Sequence, residues 1–305
     1  MLAGATATGK TRLALEVAEA IGAAEIISAD SRQVYRGMDI GTAKATYDER
    51  ARVPHHGLDL ADPDEPFTAA DFLRHAHAAL AGIAARGRLA ILAGGTGLYL
   101  RAVARGVPLD EAGHDPALRA ELDERLATEG LAALAAELIA LAPGLAGRTD
   151  LANPRRVVRA LERAHLLGDR QPPEPVGYAG PVEWLGTRME RSEHDRVIAG
   201  RAREQFDAGL LEETAALRAR YRDDVQGFSG MGYHEAMAVL DGRWDRETAI
   251  EADAVRTRRY ARRQETWFRA EPGITWLDPG EGRLRAALDA AARLLDAPRP
   301  AERLS

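Results

Sequence analysis

The sequence predicts an α/β fold in which helices cover a parallel sheet. Gly4–Thr11 has the pattern G-x-x-x-x-G-K-[ST] of a phosphate-binding loop, which normally joins a strand to a helix. Leu89–Ala93 is a continuous apolar run that leads into the glycine-rich turn Gly94–Gly97, as is typical of a buried parallel strand. Strands that alternate with helices favour a doubly wound sheet, whose ligands lie beyond the carboxyl ends of the strands.

The order of the remaining elements follows from apolar periodicity and from capping residues. Only three residues precede Gly4, so the first strand is very short or the true start of the protein lies upstream, and we expect a start upstream. Gly22 ends the first helix, Thr68–Asp71 is a capping sequence, and Asn153 with Pro154 begins another helix. In chain order we predict a helix to Ile21, a strand at Glu25–Ser28, a helix from 69 to about 86, helical structure from about 115 to 167, a strand within 182–189, and helices at 193–221, 233–240, 246–271 and 284–295.

A proline-rich loop, Gly168–Pro181, marks a boundary in this series. Residues 1–112 and 181–305 are predicted to form a P-loop NTPase-like parallel-sheet core with a helical C-terminal region. Residues 113–180 are predicted to form a helical insertion.

Composition excludes several classes of function. The 305 residues include no cysteine, so the chain has no disulfide and no cysteine-based metal site, and no apolar run is long enough to span a membrane. The net charge of −6 argues against a uniformly basic surface but leaves room for local nucleic-acid-binding faces. Among 41 basic residues only Lys10 and Lys44 are lysines, which makes both of them informative.

The phosphate-binding loop predicts a polyphosphate ligand. Its backbone N–H groups can wrap an anion at a helix N-terminus, Lys10 adds a point charge, and the Thr11 hydroxyl can bind Mg²⁺. The predicted diphosphate- or nucleotide-binding residues are Gly4, Ala5, Thr6, Ala7, Thr8, Gly9, Lys10 and Thr11. Such a loop indicates what is held and leaves open what attacks it, so a small-molecule kinase fits equally well at this point.

A second polar segment follows the predicted strand at 25–28. Asp30 lies close to the expected phosphate site, where a carboxylate could take a proton from an incoming nucleophile. The same carboxylate could instead bind Mg²⁺ or cap a turn, and the residues alone leave these alternatives open.

Several motifs, taken together, resemble the tRNA dimethylallyltransferase family. The resemblance covers most of the chain, and the block Asp-Ser-x-x-x-Tyr followed by Gly-Thr-Ala-Lys is its most specific part. The motifs are, in order, Gly4–Thr11, Asp30–Lys44, Val53–Asp59, Gly94–Leu100, Arg259–Gln264 and Trp267–Arg269.

The resemblance implies an activity and its participants. Enzymes of this family transfer a dimethylallyl group from dimethylallyl diphosphate to N6 of adenosine 37, beside the anticodon of tRNA. For this chain it implies Mg²⁺ as the cofactor, with Thr11 as the residue that binds it, and the anticodon stem-loop of tRNA as the partner gripped by the insertion. We further expect a monomer in the cytoplasm without membrane association.

The resemblance also implies roles for individual residues. Asp30 matches the proposed base, Lys10 stabilises the leaving diphosphate, and Thr96 is the third residue of the catalytic set. As an alternative, Thr96 only caps the helix that follows. The expected tRNA-binding residues are Asp30, Ser31, Arg32, Gln33, Thr96, Arg119, Arg155, Arg156, Arg159, Gly232, Arg259 and Arg263.

The arginines of the predicted helix at 246–271 fall on two faces. Helical spacing places Arg258, Arg262 and Arg269 on one face, and Arg256, Arg263, Tyr260 and Trp267 on the other. Arginines mixed with aromatic residues suit phosphate contact and base stacking, but they equally suit a core helix with ion-paired arginines. The same alternative applies to Arg155, Arg156, Arg159 and Arg163, with Glu162 as a local partner.

Three further features concern individual residues. His55 and His56 are adjacent and lack a third ligand at useful spacing, so we interpret them as structural residues. Asp59 is expected to form local hydrogen bonds. Ser229 stands where several relatives carry Arg or Gln, which puts any ligand contact at that position in doubt.

Three other functions compete with prenyl transfer to tRNA. A small-molecule kinase would transfer a phosphoryl group, and a nucleotide-switched RNA-binding protein would form no product. A prenyltransferase acting on free adenine nucleotides would not need the basic C-terminal region.

Overall fold

A single parallel sheet forms the centre of the fold. The computed structural model describes residues 1–107, 109, 115–171, 174–280 and 282–296. Within these residues the strands are β1 (Leu2–Gly4), β2 (Ala24–Ser28), β3 (His55–His56), β4 (Leu89–Gly94), β5 (Leu185–Thr187) and β6 (Thr275–Leu277). Their spatial order is β3-β2-β4-β1-β5-β6, and every neighbouring pair is parallel. The predicted α/β class with a P-loop NTPase-like parallel-sheet core is confirmed.

The helices fall into three groups along the chain. The first group is α1 (Lys10–Ile21), α2 (Tyr47–Arg52), α3 (Ala69–Ala85) and α4 (Gly97–Arg105). The second group is α5 (Pro116–Glu129), α6 (Leu131–Leu141), α7 (Pro143–Ala146) and α8 (Pro154–Leu167). The third group is α9 (Arg191–Asp207), α10 (Leu210–Arg218), α11 (Tyr233–Leu240), α12 (Arg246–Arg269) and α13 (Gly282–Asp296), with a 3₁₀ turn at Gln226–Ser229.

The strand register brings four loops to one edge of the sheet. Gly4 is paired with Thr187, while Ala93 pairs with both Leu2 and Ser28. Because the strands are parallel, the segments that follow β1, β2, β4 and β5 leave the sheet on the same side. These segments include all the predicted phosphate-binding and catalytic residues.

Predicted caps fix the ends of several helices. Gly22 ends α1 in the left-handed conformation, with φ of 71°. Thr68 and Asp71 form a reciprocal capping box at the start of α3, and the Asn153 side chain accepts a hydrogen bond from the Arg156 N–H at the start of α8.

Four details differ from the prediction, of which the unpredicted short helix α2 is one. The predicted helix at 193–221 is two helices, because Gly209 lies between them with φ of 103°, which helical residues do not adopt. β3 and β6 were not predicted, since a two-residue strand of histidines and a three-residue edge strand lack a readable apolar pattern.

The chain divides into two compact units. The first unit comprises residues 1–106 and 177–305, and the second comprises 107–176. The second unit has its own apolar core, which includes Leu122, Leu134, Leu138 and Leu161. The predicted boundary at residues 112–113 and two of the four prolines in the boundary loop, Pro172 and Pro173, lie outside the described residues.

In the first unit, apolar clusters pack on both faces of the sheet. Leu13 and Val17 of α1 pack with Ile26 of β2 and with α13, while Phe72 of α3 packs with Ile27 and other residues. Among the residues described, no helix is both long and apolar enough to cross a membrane.

Candidate functional site

The phosphate-binding loop leaves β1 at Gly4 and enters α1 at Lys10. A Cβ atom at Gly4 would lie 2.4 Å from the Thr187 hydroxyl oxygen, so the close approach of β5 requires glycine there. Ala7 and Gly9 adopt positive φ angles of 62° and 81°, and a positive φ at Ala7 is uncommon for a residue with a side chain. The loop is therefore a tight turn whose path is set by its neighbours.

Lys10 lies at the bottom of this loop. Its side chain is buried, and Nζ donates a hydrogen bond to the Ala5 carbonyl oxygen at 2.9 Å. Burial lowers the pKa of Lys10 to about 8, the negative charge of Asp30 opposes this shift, and the positive charge of Arg201 adds to it. A buried ammonium that lacks a full counter-charge is suited to binding an anion.

Thr11 is available for the predicted magnesium ion. It is exposed at the first turn of α1, and its hydroxyl forms no hydrogen bond within the described chain. No group of three His, Cys, Asp or Glu residues in the described ranges could hold a metal by itself. One hydroxyl beside a phosphate-binding loop fits Mg²⁺, which takes its other ligands from substrate phosphates and water.

Thr6 is the most firmly held residue of the loop. Its N–H donates to the Gln264 side-chain oxygen at 2.8 Å, and its hydroxyl accepts from Arg201 at 2.7 Å. Its carbonyl oxygen lies 2.8 Å from Nε2 of His194. The side-chain nitrogen of Gln264 also donates to the Gly95 carbonyl at 2.8 Å, so one buried side chain of α12 joins the two glycine-rich turns.

These contacts have only a partial signal in the sequence. Gln264 belongs to the motif Arg259–Gln264 without an assigned role, and sequence reasoning missed Arg201 and His194. Both of them lie on a polar helix, α9, and contact a loop at the other end of the chain. A pattern local to α9 carries no mark of such a contact.

Asp30 follows β2 at the same edge of the sheet. It is partly buried, and its Oδ1 accepts a hydrogen bond from the Arg32 N–H at 2.8 Å. Asp30 acts electrostatically on Lys10, and burial together with the charge of Asp30 raises the pKa of Tyr260 to about 12. The structure thus brings a carboxylate close to the buried ammonium of the phosphate-binding loop.

Thr96 connects the turn after β4 to this segment. Its hydroxyl oxygen accepts a hydrogen bond from the Ser31 N–H at 3.0 Å, next to Asp30. Thr96 occupies the N-cap position of α4, but its side chain makes no capping hydrogen bond. Thr96 thus begins α4 through its backbone carbonyl, while its hydroxyl binds the Ser31 backbone instead of capping the helix.

The segment after Asp30 is fixed by its own side chains. Gln33 bonds to Ser28 and to the carbonyls of Thr42 and Ala43, so it supports the segment from inside. Arg32 is directed outward and donates to the Gln226 carbonyl at 3.1 Å.

Lys44 is an internal tie of the same segment. Its fully buried side chain donates to the Tyr35 carbonyl, and Nζ lies 2.7 Å from an oxygen of Asp39 and of Asp59. Asp59 also accepts from Arg50, and these two cations hold the pKa of Asp59 below its usual range against the opposing effect of burial. Asp59 was expected to form local hydrogen bonds, and it does so as the shared counter-ion of Lys44 and Arg50.

A cavity of about 630 Å³ lies beside the phosphate-binding loop. It is bounded by Ala5 and Thr8 of the loop, the end of β5, the start of α9, and α12. Its charged lining residues are Arg188, Arg191, His194, Asp195, Arg258, Arg262, Glu265 and Arg269. Ile198, Ala261, Phe268 and other residues add apolar wall, so the cavity suits a ligand with an anionic and an apolar part.

The two predicted faces of α12 are both present. Arg258, Arg262 and Arg269 line the cavity as one face. On the other face, Arg263 lies over the Tyr260 ring at 5.6 Å, and Arg256 donates to the Ser229 carbonyl and to Glu235. Arg259 is exposed and has no ion-pair partner among the described residues.

The other predicted tRNA contacts lie elsewhere. In the insertion, Glu162 is fully buried; burial alone would raise its pKa, but hydrogen bonds from the Asp115 N–H, Arg119 and Arg159 lower it to about 2. Arg119 and Arg159 therefore have a structural role, as the ion-pair alternative allows, and their contact with tRNA stays a prediction.

Arg155 is exposed, while Arg156 lies 3.7 Å from Asp150. In the first unit, Gly232 begins α11 with φ of 85°. A Cβ atom there would lie 3.0 Å from the Leu210 side chain, so backbone geometry accounts for this glycine.

The adjacent histidines have structural hydrogen bonds. His56 Nε2 lies 2.7 Å from the buried carboxylate of Glu25, and His55 Nδ1 lies 2.7 Å from the Val53 carbonyl. These contacts agree with the structural interpretation.

Comparisons with known proteins agree on one family. The sequence model of the family described as IPP transferase matches residues 33–271. A curated tRNA dimethylallyltransferase from Anaeromyxobacter sp. (strain K) is 46% identical over 98% of this chain and 97% of that protein.

Solved structures give the same result. The tRNA isopentenylpyrophosphate transferase from Bacillus halodurans is 37% identical, with a TM-score of 0.71 over 97% of this chain and 95% of that one. A eukaryotic dimethylallyltransferase has a TM-score of 0.80 over 99% of this chain and 80% of that one. The two sequences are 23% identical, so this likeness shows a shared fold alone.

Proposed function

Because the chain belongs to the IPP transferase family, we propose that it transfers a dimethylallyl group from dimethylallyl diphosphate to N6 of adenosine 37 in tRNA. One observation carries the proposal: the parallel register places Asp30, just after β2, at the same edge of the sheet as the phosphate-binding loop that follows β1. A basic cavity with an apolar wall borders the same loop. The names of the relatives do not favour the kinase alternative.

On the diphosphate side, the loop and Lys10 stabilise the leaving group. The breaking bond joins an allylic carbon to a diphosphate oxygen, and negative charge grows on the diphosphate as the bond lengthens. Backbone N–H groups at the start of α1 and the Lys10 ammonium are suited to stabilise that charge. The apolar side chains of the cavity wall, Ile198 and Phe268 among them, suit the five-carbon group.

On the tRNA side, Asp30 accepts a proton. The new bond forms between N6 of adenine and the allylic carbon, and N6 must then lose a proton to remain neutral. That proton goes to the Asp30 carboxylate. The Thr96 hydroxyl accepts a hydrogen bond from the Ser31 N–H. This contact fixes the backbone next to Asp30 and so orients the Asp30 carboxylate.

Magnesium would be bound by Thr11 together with the diphosphate oxygens. When bound, it neutralises charge on the diphosphate. The protein offers this ion the exposed hydroxyl of Thr11, next to Lys10. One protein ligand suits an ion that arrives bound to its substrate.

The adenine must leave the anticodon stack to reach this edge of the sheet, so we expect a flipped base. Arg259 and Arg263 on the outer face of α12 are suited to the tRNA backbone, because Arg259 is exposed without an ion-pair partner within the described ranges. The proposal includes a monomer that acts in the cytoplasm.

Label transfer tests the proposal directly. Purified protein, Mg²⁺ and radiolabelled dimethylallyl diphosphate are incubated with an unmodified tRNA transcript, and label is counted in acid-insoluble RNA. We expect label in the RNA, lost when adenosine 37 is replaced by another nucleotide.

Two other outcomes would contradict the proposal. Label in free AMP instead of RNA would indicate a prenyltransferase of free nucleotides. Absence of any prenyl transfer, together with transfer of the γ-phosphoryl group from ATP to a small acceptor with formation of ADP, would indicate a kinase.

A further inference from the structure

Two ionisable side chains that face each other have no part in the reaction described above. His194 lies in the first turn of α9 and Glu265 lies on α12, and both line the cavity beside the phosphate-binding loop. The His194 side chain is only 5% exposed, whereas that of Glu265 is 36% exposed. His194 is therefore an ionisable side chain buried beside the phosphate-binding loop, and its charge state depends on the groups that contact its ring.

Both ring nitrogens of His194 face oxygen atoms that only accept hydrogen bonds. Nε2 lies 2.8 Å from the Thr6 carbonyl oxygen, and Nδ1 lies 3.3 Å from Oε1 of Glu265. A neutral imidazole has one donor and one acceptor nitrogen, so it would place a lone pair against the carbonyl or the carboxylate. A neutral imidazole with its hydrogen on Nε2 satisfies the Thr6 contact, whereas the imidazolium, which donates from both nitrogens, also pairs with the Glu265 carboxylate.

We propose that His194 is held as an imidazolium between Glu265 and the phosphate-binding loop, and that the pair is a further positioning element of the diphosphate site. The inference rests on the proposed function for the identity of the ligand. Its chemical class, an organic diphosphate, follows from the loop and the basic cavity.

The pair acts on the loop through Thr6. The N–H, hydroxyl and carbonyl oxygen of Thr6 are held by Gln264, Arg201 and His194 respectively. A charged donor to the carbonyl forms a stronger hydrogen bond than a neutral one, so the imidazolium fixes the Thr6 peptide just before the left-handed turn at Ala7. The same charge lies on the cavity wall, where it attracts the diphosphate.

Other charged groups, most of them arginines, surround the pair. Arg262 lies 3.8 Å from Asp195, and Arg269 lies 3.9 Å from Glu265. Arg269 is thus the arginine that lies next to Glu265, while Arg262 pairs with Asp195 instead. The remaining charged residues of the cavity wall are Arg188, Arg191 and Arg258.

Nitrogen-15 NMR of the histidine side chains tests the charge state without relying on activity. The His194 signals are assigned by their loss in His194→Gln. In the wild-type protein at neutral pH we expect the imidazolium signature, with both ring nitrogens protonated, and in Glu265→Gln the neutral form with hydrogen on Nε2. A neutral His194 in the wild-type protein would overturn the proposal.

Steady-state kinetics test the positioning role. In His194→Gln we expect the KM for dimethylallyl diphosphate to rise roughly 3- to 30-fold, with kcat nearly unchanged, because a neutral amide replaces a charged donor. Glu265→Gln should act in the same direction, and the double variant should be no worse than the more impaired single one. His77→Gln, on the exposed side of α3, is the matched control.

If the effects of His194→Gln and Glu265→Gln on KM were additive in the double variant, the two residues would not act as a pair. A loss of kcat with unchanged KM would likewise contradict a role in positioning the diphosphate site. Binding of inorganic diphosphate to the same variants separates this proposal from the proposed function. If the affinities change as expected but no prenyl group reaches tRNA, the pair stands and the assigned reaction fails.

Discussion

At the residue scale, Asp30 is the group whose removal discriminates best between the candidate reactions. Asp30→Asn keeps an oxygen that accepts the Arg32 N–H and removes the base, so turnover should fall by roughly 10² or more while tRNA binding is nearly kept. Single-turnover label transfer and a filter-binding assay with tRNA measure the two quantities. Asp64→Asn, an exposed carboxylate in a loop, is the control, and wild-type turnover in Asp30→Asn would remove Asp30 from the mechanism.

The buried ammonium of Lys10 leads to a prediction about pH. Its pKa is lowered to about 8, so the charged form that binds an anion is lost as pH rises through that value. A bound diphosphate favours the charged form and raises the pKa again, so binding near pH 8 should take up a proton. Isothermal titration calorimetry in buffers of different ionisation enthalpy measures the uptake.

The control for this prediction is Lys10→Met, which should bind diphosphate weakly and without proton uptake. Affinity of the wild-type protein that stays constant from neutral pH to well above 8 would show that Lys10 does not meet the ligand in its charged form.

The two lysines show what a sequence reveals at this scale. Both were singled out because lysine is otherwise absent. Lys10 lies in the site, where its motif places it, whereas Lys44 ties Asp39, Asp59 and the Tyr35 carbonyl together inside the segment that follows Asp30. Rarity indicates that an ammonium is needed, and only the fold shows whether the need is chemical or structural.

At the element scale, α12 holds the site together through Gln264. Gln264→Leu would leave the partly buried Thr6 N–H and the buried Gly95 carbonyl without partners, at a cost of about 1–3 kcal/mol each. We expect urea unfolding to show a loss of roughly 2–5 kcal/mol and diphosphate affinity to fall as the loop loosens. Gln226→Leu, with an exposed side chain, is the control. Equal stability of the two variants would contradict the role of Gln264 in joining the two glycine-rich turns.

Elements with strong local signals were predicted, and those that depend on distant partners were not. The caps at Thr68 and Asn153 and the stop at Gly22 are encoded within a few residues, so α1, α3 and α8 begin or end as expected. β3 and β6 exist only because neighbouring strands supply hydrogen bonds. The contacts of Arg201 and His194 with Thr6 join α9 to a loop almost 200 residues away, and no local pattern contains them.

At the scale of the whole molecule, the parallel direction of the strands was predictable because two glycine-rich turns each follow an apolar strand. The register then places Gly4, Ser28 and Gly94 at one edge, which brings the motifs around Lys10, Asp30 and Thr96 together. The way in which the insertion meets tRNA was inferred from resemblance alone and stays a prediction.

The insertion can be tested by removing it. The chain on either side of it is already joined, because the Tyr178 N–H donates to the Val103 carbonyl at 2.9 Å, and the second unit has a separate apolar core. We therefore expect a variant with residues 107–176 replaced by a short glycine–serine linker to unfold cooperatively and to keep its diphosphate affinity. Its affinity for tRNA should fall by roughly 10-fold or more, because the exposed Arg155 and its neighbours are lost.

Three measurements on this variant decide the matter: urea unfolding, calorimetry with diphosphate, and filter binding with tRNA over a range of salt concentrations. A milder companion, Arg155→Ala, should weaken tRNA binding and reduce its salt dependence by about one counterion, since a single phosphate contact is removed. If the shortened protein bound tRNA as tightly as the full chain, the grip on the anticodon stem would have to come from α12 and its exposed arginines.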